Sequence, residues 1–337
     1  MKLKMIAALF AAVLPLSASA DTGVQLYGIV DLAMAREDAD APGVASRTAM
    51  HAGRDSSRFG LRGTEDLGNG LTAMFNVEGG FDASTGVGDS ALFGRRAVVG
   101  LQGSFGELTA GREYTPLDNV SGASTTMGQG FYGSNLNAFS QGGMTRRISN
   151  SVNYKSKATS GFRVSLAYGA GETATGQPSN DYIGYGLEYK NGPLFVAAAA
   201  GETERAAGRD KEYIVGAAYK LGVAEVKGNY MVHNRASDSN TFTQVNLGVA
   251  FPVTAAGTVL FSVQQSEFDN GGEGRGFAVA YTHNLSKRTF VYGSFGHLSN
   301  NGQATFALAS AGSSVTPPAT AFGADPRALA IGLRHAF

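Results

Sequence analysis

The residue types that carry covalent chemistry are scarce or scattered in this chain. It has no cysteine, so it offers no thiolate nucleophile and no sulfur ligands for a zinc cluster. Its five histidines (His51, His233, His283, His297 and His335) show no spacing that brings two imidazoles onto one metal. There is no Gly-x-Ser-x-Gly elbow, and no glycine-rich phosphate loop opens a helical pattern. The sequence therefore implies no catalytic residue, no cofactor and no metal. What remains is fixed charge, with 27 basic and 27 acidic residues along the chain. That balance gives no pull towards nucleic acid. Charged side chains around a water-filled passage do have a chemistry of their own, because they decide which ion passes. The question becomes which elements could enclose water.

The first twenty residues stand apart. Lys2 and Lys4 precede an apolar run from Met5 to Leu16, and Ala18-Ser19-Ala20 supplies an A-x-A cleavage site. Residues 1–20 read as a secretory signal peptide, and 21–337 as one domain. Beyond the signal no apolar stretch approaches about 18 residues, which excludes a helical membrane span. A membrane barrel stays open, since its strands need only about 9–11 residues and alternate in polarity.

Alternation is what the chain shows. Leu329, Ile331, Leu333, His335 and Phe337 share one face, and Ala330, Gly332, Arg334 and Ala336 share the other. A terminal strand of this kind is a poor edge in water, and Val24–Met34, alternating in the same way, is its natural partner. Short turns fall near 64–70, 103–106, 156–161, 190–193, 220–222, 252–257 and 284–288. Longer polar connections fall near 36–56, 82–94, 114–147, 169–181, 201–211, 234–240, 269–274 and 298–325. Fifteen strictly alternating connections join sixteen strands. The expected fold is all-β, a 16-stranded antiparallel transmembrane β-barrel with tight turns at one end and loops at the other.

Size decides which face points outward. A barrel of about eight strands fills with side chains, whereas sixteen enclose an aqueous space. The small and polar set, including Asn76, Glu78, Lys227, Asn229 and Asn246, then faces the bore. The apolar set faces hydrocarbon, with Tyr168, Tyr189, Tyr219, Phe251 and Phe337 near strand ends as interfacial girdles.

Several motifs carry a family resemblance. Leu26-Tyr27-Gly28, Ser57-Arg-Phe-Gly-Leu-Arg-Gly-Thr-Glu-Asp66, Gly111-Arg-Glu-Tyr114, Asn150-Ser-Val-Asn-Tyr154, Leu285-Ser-Lys-Arg-Thr289 and Gly332-Leu-Arg-His-Ala-Phe337 resemble the general diffusion porins of Gram-negative bacteria, above all the beta-proteobacterial ones. The resemblance spans the mature chain. It implies a homotrimer in the outer membrane, surrounded by membrane lipid and lipopolysaccharide, that passes ions and small hydrophilic solutes. It also implies that the third long loop, 114–147, folds into the bore opposite an arginine cluster. By matching motif positions, Arg58, Arg112 and Arg147 form that cluster, with Arg62, Arg96 and Arg146 as further candidates. Arg58 faces inward by parity. Arg112 does not, and a bulge at Gly111 is needed to turn it in. The acids near the loop are Asp118 and, at its root, Glu113. With basic groups in excess at the narrowing, weak anion preference is expected. A substrate-selective porin stays open as an alternative, because selectivity resides in loops such as 298–325.

Overall fold

The first and last strands meet and close the wall. A computed structural model describes residues 23–172 and 179–337. The expected signal peptide at 1–20 lies outside them, as does part of the connection 169–181. Among the described residues the wall has sixteen strands. The first eight are β1 (Gly23–Asp38), β2 (Arg58–Gly68), β3 (Leu71–Gly80), β4 (Arg96–Gly103), β5 (Gly106–Tyr114), β6 (Arg147–Lys155), β7 (Phe162–Gly169) and β8 (Tyr182–Asn191). They are followed by β9 (Leu194–Arg205), β10 (Gly208–Lys220), β11 (Glu225–Asn234), β12 (Thr241–Pro252), β13 (Gly257–Phe268), β14 (Glu273–Asn284), β15 (Thr289–Asn300) and β16 (Arg327–Ala336). Each pairs antiparallel with its chain neighbours, and β1 pairs with β16 from Ile29↔Ala336 to Asp38↔Arg327. Gly28 and Phe337 extend that seam by exchanging two backbone hydrogen bonds of 3.1 Å. In hydrocarbon an unpaired amide costs on the order of several kcal/mol, so this closure is what makes a spanning sheet tenable.

The faces follow the alternation. Leu247 is 51% and Leu333 48% exposed on the outer surface, while Asn76 and Asn246, on the opposite phase of their strands, are buried inside the wall. Exposed Tyr168, Tyr185, Tyr213, Tyr219, Tyr230 and Tyr281 lie on the outward phase of β7 to β14. The outward phase of β16 and β1 to β4 carries no tyrosine.

Three connections differ from the sequence reading. Residues 201–211 form no long loop, because β9 runs to Arg205 and β10 restarts at Gly208. Glu202 pairs with Lys211 and Glu204 with Arg209. This ladder projects beyond the apolar belt, so both its faces are polar and the apolar phase vanishes from the sequence. Within 36–56, Arg47–His51 pairs with Ala33–Glu37 of β1. The connection 114–147 contains two helices, α1 (Pro116–Ala123) and α2 (Leu136–Ser140). At eight and five residues they are too short for a helical period to show.

Between Arg47–His51 and β2 the chain leaves the ladder and dips inward. Asp31, fully buried, holds that dip. Its Oδ1 accepts hydrogen bonds from Gly53 N at 3.0 Å and the Tyr292 hydroxyl at 2.5 Å, and its Oδ2 accepts from Asp55 N at 3.0 Å. Ser57 Oγ accepts from Asp31 N and donates to Asp31 O. The knot ties β1, the inward dip and β15 together. Asp31→Ala strands three donors and is expected to lower unfolding free energy by about 2–4 kcal/mol, read from urea titration of the detergent-solubilised protein. An unchanged midpoint would show that the dip holds itself.

Candidate functional site

The segment between β5 and β6 packs against inward-facing side chains of the wall. Thr115 caps α1 by accepting from Asp118 N at 3.2 Å, and Pro116 starts the helix, where its missing N–H costs nothing. Leu117 and Val120 of α1, then Met127, Phe131 and Tyr132, are fully or nearly fully buried. They join Ile214, Met231, Phe242 and Tyr292 of the wall, and Phe306 and Leu308 of the last loop, in one dry cluster. Inward glycines make the room. A Cβ on Gly296 would lie 2.6 Å from Tyr132 Cβ, and one on Gly248 would lie 2.7 Å from Thr126 Oγ1. Polar wall groups hold the loop backbone: Asn246 Nδ2 donates to Gly133 O at 3.1 Å and Asn229 Nδ2 to Ser124 O at 3.0 Å. One side of the barrel interior is thus filled.

The wet space lies on the other side, against β1 to β5. Two cavities occur there. One of about 620 Å³ is lined by Arg58, Arg62, Arg95, Arg96, Lys155, Asn76, Glu78, Glu107 and Glu113 among others. The second, of about 440 Å³, is lined by Arg54, Asp55, Arg58, Arg95, Asp118, Gln129 and Arg146 among others. They share Arg58, Arg95, Tyr114 and Asn119. Across both, seven basic side chains face five acidic ones. The acids are held by guanidinium groups: Glu78 by Arg95 at 2.7 Å and Arg58 at 3.6 Å, Glu113 by Arg96 at 2.5 Å, and Asp118 by Arg146 at 2.9 Å. The Tyr27 hydroxyl donates to Glu78 at 3.0 Å, and Asn76 Nδ2 donates to that hydroxyl at 2.9 Å. Arg62 lies over the Tyr27 ring at 4.9 Å and donates to Gln25. Among the described residues no carboxylate pairs with Arg62 or Lys155.

Most of the sequence-expected lining residues meet here: Arg58, Arg62, Arg96, Asn76, Glu78, Glu113 and Asp118, with Arg146. Lys227 also faces inward, but on the far wall, paired with Glu225 at 3.6 Å. Of the expected cluster, Arg112 does not meet it, and Arg147 stands at its edge behind Tyr114. The bulge at Gly111 exists, with register slipping between Gly111 and Glu113, yet it fails to turn Arg112 inward. The extra residue sits in the facing strand, where Asn150 has φ +52°, and the ladder to β4 runs unbroken. Arg112 stays opposite Ala97, in phase with outward Val99 and Leu101. The same bulge moves Arg147 out of phase with inward Ser151, and Ile148 takes the inward place. Arg147 nonetheless reaches the hydroxyl of bore-lining Tyr114 at 2.9 Å, to which Arg95 Nη2 also donates at 3.1 Å. Conversely, Arg95 and Arg54 line the space and escaped the sequence reading. Both lie in connections, where strand parity has no say. The Arg95-Arg96 doublet at a strand start was the available signal.

With this geometry in view, the comparisons with known proteins are consistent. A profile of the Gram-negative porin family matches residues 7–303. The chain belongs to that family. It is 32% identical to outer membrane porin protein 32 of Delftia acidovorans, covering 95% of this chain and 96% of the other. It is 29% identical to an outer membrane porin of Bordetella pertussis, covering 88% and 94%. Among solved structures, the anion-selective porin from Comamonas acidovorans superposes with a TM-score of 0.83 at 30% identity, covering 94% of this chain and all of that one. The porin fold and the outer-membrane location follow.

Burial pushes the Asp118 carboxyl above the usual carboxylate range, opposed by Arg146 and Gln129. A raised carboxyl takes up its proton at higher pH than an ordinary aspartate, so acidification removes this negative charge early. Wild-type channels are expected to become more anion-preferring as pH falls from neutral towards 4, by a few millivolts of reversal potential in a salt gradient. Asp118→Asn should already sit nearer the acidic value at neutral pH and respond less to acid. Equal pH responses in both proteins would remove Asp118 from the ion path.

Proposed function

We propose that this porin is a weakly anion-preferring diffusion channel whose narrowest zone is bounded by Arg58, Arg95, Tyr114 and Asn119. One observation carries the reading: the two water-accessible cavities meet at those four residues, and their combined lining has more guanidinium and ammonium groups than carboxylates. Arg58, Arg96 and Arg62 form the basic wall, and Asp118 and Glu113 are the acids of the loop and its root. Arg95 and Arg146 complete the constriction, Arg147 backs it through the Tyr114 hydroxyl, and Arg112 lies outside it. The segment 115–146 narrows the bore, pinned to the far wall by Asn246 and Asn229. In such a passage each paired carboxylate is already neutralised, so a permeant anion meets the unpaired fraction of the arginines. The similar Comamonas porin is described as anion-selective, which agrees. No acid–base or nucleophilic step is assigned to these residues, whose side chains position charge and water.

We further propose a homotrimer, with protomers meeting on the outward face of β16 and β1 to β4. Interfacial tyrosines serve strands that meet lipid headgroups, and this face has none. On the neighbouring loop 81–95, Val87 and Leu92 are 65% and 71% exposed, an apolar pair suited to a protein neighbour.

Planar-bilayer recording tests both proposals. Wild-type insertions are expected to close in three equal steps and to give a reversal potential of anion sign. Arg58→Glu or Arg95→Glu should shift that potential towards cations by about 10 mV or more, since each changes the lining by two charges at its narrowest point. No shift in either variant would place the constriction elsewhere.

A further inference from the structure

Tyr114, the last residue of β5, lines both bore cavities, and its hydroxyl is held from two sides. Arg95 Nη2 donates to it at 3.1 Å and Arg147 Nη2 at 2.9 Å. A phenol carries one O–H and an oxygen that accepts. With two guanidinium groups on the oxygen, what Tyr114 has left to offer is its proton. Among the described residues no protein group accepts that proton. Tyr27, the other tyrosine of the larger cavity, differs, because its O–H is committed to Glu78 at 3.0 Å.

The hydroxyl is also fixed in place. Arg147 stands opposite Tyr114 in the ladder between β5 and β6, with its guanidinium carbon 4.5 Å from the ring centroid. Arg95 is anchored in turn by Glu78, to which its Nε donates at 2.7 Å. The O–H therefore turns away from both cations, into the space that the two cavities share. Bonds accepted from cations polarise a hydroxyl and strengthen the one it donates. Guanidinium charge favours every monovalent anion alike, whereas a directional donor does not. An anion entering a narrowing sheds water, and a strong acceptor loses more by this than a weak one unless the wall replaces the bond.

We propose that Tyr114 is a specificity-determining residue that sorts anions of equal charge by acceptor strength, favouring carboxylates over weak acceptors such as nitrate. The inference rests on the proposed constriction, and it adds a preference among anions that basic charge alone does not supply.

The test is bi-ionic recording of the full-length protein in planar bilayers, with potassium formate on one side and potassium nitrate on the other. Both anions are planar, singly charged and close in size, and formate is the stronger acceptor. Tyr114→Phe removes the donor and keeps the ring, so the ratio of formate to nitrate permeability should fall at least about twofold from its wild-type value. Tyr114→Gln, which restores an acceptor for the arginines and a donor for the solute, should recover part of that ratio. Tyr114→Met has no donor and should match Y114F, which preserves the comparison if the phenylalanine variant forms no channels. Equal ratios in wild type, Y114F and Y114M would overturn the proposal. So would a higher ratio in Y114F, which would give the donor role to the guanidinium N–H groups that the substitution releases. Failure of the constriction itself reads differently: Arg58→Glu and Arg95→Glu would then leave the reversal potential in a potassium chloride gradient unmoved, whatever the formate-to-nitrate ratio does.

Discussion

Everything in this molecule depends on the intolerance of hydrocarbon for an unpaired amide. A sheet that spans a membrane has to close, and here it closes where β1 meets β16 and Phe337 pairs with Gly28. Closure leaves no edge, so the alternation of side chains becomes a strict division between lipid and interior. Once Leu247 and Leu333 are committed to lipid, Asn246 and Arg334 have nowhere to go but inward. A single bulged residue is enough to shift the phase of the positions beyond it, as Ile148 shows by taking the inward place.

The interior so defined is too large for wall side chains to fill, and the chain fills half of it from within. The segment 115–146 lays Leu117, Phe131 and Tyr132 over small wall residues, and the last loop covers them with Phe306 and Leu308. Burying these groups drives the loop inward without any need for charge. Glu37 reinforces the arrangement near the loop end, accepting from His51, Tyr132, Ser313 and Arg47. The apolar half thereby confines water to the strip along β1 to β5, where the arginines stand. In the channel proposed here, dry packing sets the width and the charges on the opposite wall select the ion.

Much of this was legible in the residues because a barrel strand repeats every two positions. Arg58, Arg62, Asn76 and Glu78 were readable as bore-facing from parity alone. The reading failed where parity stops applying. Arg54 is delivered to the bore by a dip that Asp31 holds through tertiary hydrogen bonds, and nothing local to Arg54 announces it. Arg95 precedes its strand by one residue. At 201–211 the strands continue into water with charges on both faces, so a regular ladder looks like a loop. The placement of the bulge at Ser149-Asn150 rather than in β5 follows from the register between strands, which one strand's sequence does not contain.

The polar face of one closed wall lines a water path while its apolar face meets lipid. The absence of cysteine makes it directly testable by single-cysteine labelling in a bilayer. A charged, membrane-impermeant thiol reagent should react with Arg62→Cys and reduce the open-channel current, and should leave Leu247→Cys untouched. A lipid-soluble quencher should reach a probe on Leu247→Cys and miss one on Arg62→Cys. The reverse pattern, with position 247 reacting from water and position 62 quenched by lipid, would show that the wall does not divide lipid from water in this way.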